Sequence, residues 1–283
     1  MTGIQAHRST TTVLGIVTSY YRKRPAKPLG TAHAPVVLFH GGAPGVCADL
    51  AWFRNFDALV DAGHEVIAFD QPGFGHSGVP DDHSIEFRYR HAVAFLQALE
   101  VESAHLVGNS IGGLLCCLIA LRLRERALAR SLVLAAPLPF FDAPTVAVEK
   151  MAVHRTRLSA VEPTFESIRK LCLNTFNQPA AVTDDVVALR LAMLQGDRWT
   201  AHKARAVSRQ FDQDVVRNTV VDVPSLMVWG LNDNSLPMEI GVQGMQHFSD
   251  GQFLFVPHCG HWPQTEQAAV FNRAMLGFLD DQA

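Results

Sequence analysis

The sequence predicts an α/β fold: a mostly parallel central sheet flanked by helices, with a helical insertion past its middle. Three observations carry that expectation. Short runs such as Val36-Val37-Leu38-Phe39 and Val66-Ile67-Ala68-Phe69 are apolar at every position, as strands covered on both faces require. Segments of helical apolar spacing lie between such runs, so strand and helix alternate in both halves of the chain. The runs end in glycine-rich turns, as in His40-Gly41-Gly42 and Gln71-Pro72-Gly73.

The elements follow in order. Met1 to Thr12 is polar and Thr-rich, lacks the apolar stretch of a secretory signal, and reads as a short frayed lead-in. After the strand at Val36–Phe39, Trp52 to Val60 reads as a helix. The strand at Val66–Phe69 closes in Asp70-Gln71-Pro72-Gly73. Ile85, Tyr89, Ala92, Val93, Leu96 and Leu99 keep helical spacing and mark a long amphipathic helix. Ala104-His105-Leu106-Val107 is a strand that runs through Gly108 into a helix starting near Ile111. That helix is apolar all round and so belongs inside the protein. Ser131–Ala135, Ser225–Trp229 and Gln252–Val256 are further strands, and Ala268 to Leu279 is a final helix with Val270, Phe271, Ala274, Met275 and Phe278 on one face. Residues 137–219 break the rhythm with Pro137, Pro139 and Pro144, then helical patterns and no convincing strand. They read as a helical cap inserted into a core formed by 1–136 and 220–283.

Composition excludes several classes of function. The chain has 283 residues, 48% of them apolar, enough for one large core. Only 18% are charged and the net charge is −3, so no field favours nucleic acid or a membrane surface. No apolar run is long enough to span a bilayer. Cys47, Cys116, Cys117, Cys172 and Cys259 are odd in number and form no C-x-x-C pair. They read as reduced thiols of a cytoplasmic protein. His247, His258 and His261 lack zinc-site spacing, and no metal or other cofactor is expected.

The chemistry centres on Gly108-Asn109-Ser110-Ile111-Gly112-Gly113, which fits G-x-S-x-G. A plain glycine turn between strand and helix has the same pattern. The strand before it and the buried helix after it supply the context that a serine nucleophile needs. A serine hydroxyl needs a base to activate it, and the base needs an orienting acid. In such a fold the order along the chain is serine, acid, histidine. Asp233 follows the strand ending at Trp229-Gly230, and His261 follows the strand ending at Val256-Pro257. His258 competes, but His261 lies at the loop tip ahead of the last helix. Asp222 and Asp250 precede their strands and so sit at the wrong end of the sheet. In His40-Gly41-Gly42-Ala43-Pro44-Gly45 the paired glycines Gly41 and Gly42 let backbone N–H groups approach a reacting carbonyl. The N–H groups of Gly42 and Ile111 are assigned as the oxyanion hole, a flexible turn being the alternative. Asp70 to Gly78 fits no phosphate-binding pattern and reads as structural.

Along most of its length the sequence resembles the α/β-hydrolase superfamily. Within it, the chain resembles the meta-cleavage product hydrolases, which cleave a carbon–carbon bond in dienoate ring-fission products of aromatic catabolism. The resemblance rests on the segments just quoted, on Val228-Trp229-Gly230-Leu231-Asn232-Asp233, and above all on Cys259-Gly260-His261-Trp262-Pro263-Gln264 with Glu266 and Phe271-Asn272-Arg273. It implies that Arg190, in Thr183 to Arg190 of the cap, contacts the carboxylate of a small-molecule substrate. It also implies that Asn109 and Trp262 stand beside that acid end, and that the chain is a dimer or larger homo-oligomer. Ala51 stands where the family carries an asparagine, and Ala43 where it carries a third glycine. A carboxylesterase or lactonase for small apolar esters is therefore the alternative activity. Phe140, Phe141, Met151, Leu158, Phe176 and Met193 are apolar cap residues read mainly as packing.

Overall fold

The structure is a computed structural model that describes residues 8–29, 34–159, 162–207 and 219–282, with the side chains of 154–159 and 205–207 outside that description. Met1 to His7 of the expected lead-in, part of the expected cap (160–161 and 208–218) and the Leu158 side chain therefore lie outside the described residues.

From Arg8 onward the expected lead-in is strand rather than frayed chain. Arg8–Val13 forms strand β1 and Ile16–Lys23 forms β2, an antiparallel hairpin in which Val13 faces Ile16. Both loop residues, Leu14 and Gly15, have positive φ, the two-residue geometry whose twist matches that of its strands. Next come β3 (Val36–Phe39), α1 (Ala48–Trp52), α2 (Phe56–Asp61), β4 (Val66–Phe69), α3 (Ile85–Ala98), β5 (Ala104–Asn109), α4 (Ile111–Arg122) and β6 (Ala129–Ala135). The described residues between β6 and the next long strand are helical where regular: α5 (Thr145–Ser159), α6 (Phe165–Thr175), α7 (Asp184–Ala192) and α8 (Asp197–Val207). Then follow β7 (Ser225–Gly230), α9 (Met238–Gly244), β8 (Gly251–Val256), α10 (Pro263–Glu266) and α11 (Ala268–Asp280).

The single helix expected over Trp52 to Val60 is two helices. Asn55 breaks it: its side chain donates to the Gln264 carbonyl at 3.0 Å and to Asn272 Oδ1 at 2.6 Å. A buried amide that bonds across to α10 and α11 is worth more to the fold than one more helical turn.

The sheet has eight strands in the order β1-β2-β4-β3-β5-β6-β7-β8. β2 runs antiparallel to its neighbours and the rest are parallel. Side chains alternate between two apolar cores. Val36 and Leu38 of β3 face Trp52, Phe56, Phe271 and Met275. Val37 and Phe39 face Phe95, Leu96, Leu114 and Leu118. Ile168, Leu171, Cys172 and Val187, from the helices after β6, join the first core. Register aligns the carboxyl ends of the parallel strands: Phe39 pairs with Gly108, Asn109 with Ala135, Ala135 with Val228 and Gly230 with Val256. The loops after β3, β5, β7 and β8 therefore open on one rim, where open α/β sheets bind ligands.

Candidate active site

Between β5 and α4 the chain turns in a single residue. Ser110 has φ 56° and ψ −122°, a conformation that costs a residue with a side chain of the order of 1–3 kcal/mol. Three backbone bonds hold it there: Ser110 N–H to Ala135 O (3.0 Å), and Leu114 N–H (3.1 Å) and Leu138 N–H (2.9 Å) to Ser110 O. The turn closes only because its flanks lack side chains. A Cβ on Gly108 would lie 2.6 Å from Gly112 O and Gly113 N, and one on Gly112 would meet the Phe39 and His40 carbonyls. Ser110 and Ile111 are left half-buried, beside the equally half-buried Gly42.

Asp233 and His261 meet. The imidazole Nδ1–H donates to Asp233 Oδ2 at 2.7 Å, and both residues are buried. Asp233 Oδ1 accepts from the N–H groups of Ser235 (2.7 Å) and Leu236 (2.9 Å), which fixes the carboxylate. An imidazole that donates from Nδ1 keeps a lone pair on Nε2 and can take a proton there. Asn109 ties this loop to the serine turn. Its Nδ2 donates to Ala135 O (3.0 Å) and to His261 O (3.2 Å). Both amide hydrogens are thus committed, and the buried Oδ1 acceptor has no partner among the described residues. Among those residues Ser110 Oγ makes no hydrogen bond to the imidazole. Such bonds are often long until substrate fills a site.

The first glycine turn lies against the serine. A Cβ on Gly41 would sit 2.9 Å from Asn109 Oδ1 and 3.4 Å from Ser110 Cβ, and one on Gly42 would sit 3.0 Å from Ile111 Cγ2. The backbones of Gly41 and Gly42 therefore pass directly over Asn109, Ser110 and Ile111.

Arg190, in the last turn of α7, is fully buried, at 0% exposure. Its Nε donates to Pro44 O (3.2 Å), its Nη1 meets Cys172 Sγ (3.0 Å), and the guanidinium lies 5.2 Å from the Trp262 ring centroid. Among the described residues Nη2 has no hydrogen-bond partner and none of the ion pairs includes Arg190. A charge taken out of water without a counter-ion is costly, and an incoming carboxylate would offset that cost. Trp262 is buried, its ring 5.4 Å from that of Phe176, the residue after α6.

Glu266 is prominent here in a way its place in the sequence does not announce. One oxygen accepts from Asn177 N–H (2.7 Å) and Gln178 N–H (3.1 Å), the other from Gly260 N–H (3.0 Å) and Trp262 N–H (3.5 Å). The His261 N–H donates to Thr175 O at the end of α6 (3.1 Å). One carboxyl thus fastens the histidine loop to the segment after α6. Burial raises its pKa, against four backbone bonds that lower it. Glu266→Ala leaves those donors without their acceptor and is expected to cost about 3 kcal/mol or more, read from urea unfolding at constant m. Cys259, beside this loop, is buried, and desolvation pushes its thiol well up. It is therefore an inert thiol and not a rival nucleophile.

Arg88 and Gln71, both buried, were not among the expected site residues. The signal for Arg88 lay in the sequence: it falls three residues after Ile85 and four before Ala92, a charge inside the apolar stripe of its helix. Among the described residues no three His, Cys, Asp or Glu side chains converge to hold a metal ion. No helix there is long and apolar enough to cross a membrane.

Comparison with known proteins agrees with this architecture. A model of the alpha/beta hydrolase fold family matches residues 34–268. The chain therefore belongs to the alpha/beta hydrolase fold family and is a serine-dependent hydrolase of that fold. Within the family its likeness is to the meta-cleavage product hydrolases. It is 32% identical over 263 residues, 88% of each chain, to the 2-hydroxy-6-oxononadienedioate/2-hydroxy-6-oxononatrienedioate hydrolase of Burkholderia vietnamiensis (strain G4 / LMG 22486). It is 32% identical over 253 residues, 86% of this chain and 87% of the other, to the 2-hydroxy-6-oxo-6-phenylhexa-2,4-dienoate hydrolase of Burkholderia cepacia. The solved meta-cleavage product hydrolase from Pseudomonas fluorescens IP01 matches it with a TM-score of 0.82 at 26% identity, over 97% of this chain and 98% of that one.

Proposed function

We propose that the chain hydrolyses a carbon–carbon bond in a 2-hydroxy-6-oxo-dienoate, with Ser110 as nucleophile, His261 as general base and Asp233 as the acid that orients it. The buried Arg190 guanidinium, with an open Nη2 and no acidic partner among the described residues, is the observation that carries this reading. A plain esterase has no use for a desolvated cation in its site; a substrate with a carboxylate at one end does.

In this reading Arg190 and Trp262 hold the acid end, beside Gly41. Asn109 Oδ1 accepts from the 2-hydroxyl, because its amide hydrogens are spent on carbonyls. Ketonisation moves the hydroxyl proton to the carbon beside the distal ketone. Ser110, deprotonated by His261, then attacks that ketone or helps water to attack it. The oxyanion rests on the N–H groups of Gly42 and Ile111. The carbon–carbon bond breaks, the electron pair leaves on the dienol fragment, and His261 returns the proton. Water completes the acid product from the acyl fragment. The substrate is a small molecule and the setting cytoplasmic.

Ala51 supports a second reading, turnover of small apolar esters or lactones. It is fully buried in the apolar core at the place where the family carries a polar amide. The two readings separate in one assay. A 2-hydroxy-6-oxo-6-phenyl-dienoate is expected to lose its absorbance with a kcat/KM at least about tenfold above that for short aryl esters, a gap of about 1.4 kcal/mol in transition-state binding. Esters turned over faster by orders of magnitude would overturn the carbon–carbon reading in favour of the second.

A further inference from the structure

The peptide between Gly41 and Gly42 is held from behind by a chain of buried side chains. His40 Nδ1 lies 2.7 Å from Gly41 O, so that nitrogen carries the hydrogen and donates. His40 Nε2 then accepts from the Gln71 N–H at 2.9 Å. The Gln71 side-chain Nε2 donates to His40 O at 2.5 Å. Its Oε1 in turn accepts from Arg88 Nε at 3.0 Å and from Arg88 Nη2. Arg88 lies 5.1 Å from the Phe74 ring centroid, and the same ring packs edge-on to His40 at 5.1 Å. Arg88 Nη1 ends 3.8 Å from the point a Cβ on Gly42 would occupy. His40, Gln71 and Arg88 are 0, 1 and 4% exposed.

The geometry of the peptide unit turns this chain into a device for aiming. Gly41 C=O and Gly42 N–H belong to one planar trans unit and point in opposite directions. An imidazole that fixes the carbonyl on one side fixes the N–H on the other, in a peptide whose two glycines lie against Ser110 and Ile111. Gln71 sets the imidazole's tautomer through its main chain and the preceding carbonyl through its side chain. The two guanidinium bonds leave Gln71 one orientation, with its NH₂ toward His40 O and its oxygen away. A catalytic N–H must sit within a few tenths of an ångström of where the oxyanion develops, so a support of this kind is felt in the transition state more than in the ground state.

We propose that Arg88 is a positioning residue for the oxyanion-binding peptide Gly41–Gly42, acting through Gln71 and His40. The inference rests on the reading in which Gly42 N–H receives the oxyanion formed by Ser110. It assigns Arg88 no contact with substrate.

The test uses Arg88→Met, Arg88→Lys and Gln71→Glu in the full chain, each checked by melting temperature. Gln71→Glu keeps an acceptor and adds a counter-charge for the guanidinium but removes the donor to His40 O, so it tests the same chain of contacts where the methionine variant does not fold. Arg88→Met and Gln71→Glu are expected to lower kcat by about 30-fold or more on dienoate and ester alike, with KM changed less than about threefold. Arg88→Lys restores part of the loss. The inhibition constant of an arylboronic acid, which forms a tetrahedral adduct on serine, rises in step with the fall in kcat. That of the product 2-hydroxy-dienoate stays within about threefold, because it binds without an oxyanion. Unchanged kcat in both Arg88→Met and Gln71→Glu, or equal loss of boronate and product affinity, overturns the inference alone. A wild-type chain that neither turns over substrate nor binds the boronate overturns the serine-hydrolase reading and this inference with it.

Discussion

Ser110→Ala will lower kcat by at least about 10⁴-fold, leave substrate affinity within a few fold, and leave the melting temperature unchanged. The three outcomes have separate causes. Activity is lost because the other candidate nucleophile at this rim among the described residues, the thiol of Cys259, is buried and held protonated by desolvation. Binding persists because Arg190 and Trp262, which would hold the acid end, are untouched. Stability persists because alanine carries the same backbone strain as serine at φ 56° and because Ser110 Oγ gives up no hydrogen bond. The His261→Ala variant is expected to lose a similar factor, and the double variant no more than either alone, since the two act as one unit. Single-turnover absorbance traces at saturating enzyme check all of this. Additive losses in the double variant would mean that the serine and the imidazole do not share a step.

The parts of the molecule that could be read from the chain were those whose physics is local. The serine turn is written in five consecutive residues, because a strand meeting a helix that tightly needs glycine at each contact. Asp233 and His261, the proposed acid and base, could be picked out because each follows a strand whose apolar run is unmistakable, and the structure brings their side chains together. The hairpin was hidden for the converse reason. Its loop is Leu14-Gly15, where a leucine holds the positive φ that asparagine usually signals, and β1 is a polar edge strand with one neighbour. The break after Trp52 was invisible because Asn55 gains its partners, Gln264 and Asn272, from more than two hundred residues away. The Glu266 clamp and the Arg88 chain are bonds between elements too, over shorter separations: a charge inside an apolar stripe marks Arg88, but no spacing along its helix names Gln71 or His40 as its partners, and none along α10 names Asn177 or Gln178 as those of Glu266. Arg190 lies between these cases. Resemblance named it, but only burial distinguishes a guanidinium aimed into a core from one on a helix surface.

Arg190→Met is expected to lower kcat/KM for a 2-hydroxy-6-oxo-dienoate by about 10²-fold or more, while turnover of an uncharged aryl ester changes by less than about threefold. The asymmetry follows from where the charge sits. In the fully buried site of Arg190 a carboxylate leaves water only if a cation replaces its hydration, and an ester makes no such demand. Methionine has a stem of similar length and fills the space above Trp262, so the cavity term stays small. The same substitution removes two bonds, to Pro44 O and to Cys172 Sγ, but also the cost of burying a guanidinium with no acidic partner among the described residues. Those effects oppose each other, and replacing a buried charge by an apolar side chain is often close to neutral for stability. A melting temperature within a few degrees of wild type, together with the substrate-selective loss, is the expected pair of results. Arg190→Lys should recover little, because an ammonium lacks the planar fork that grips both carboxylate oxygens and cannot span Pro44 O and substrate together. Equal losses on dienoate and ester would show that Arg190 serves only to fasten α7 to the loop after β3, and the substrate class would have to be sought without a carboxylate.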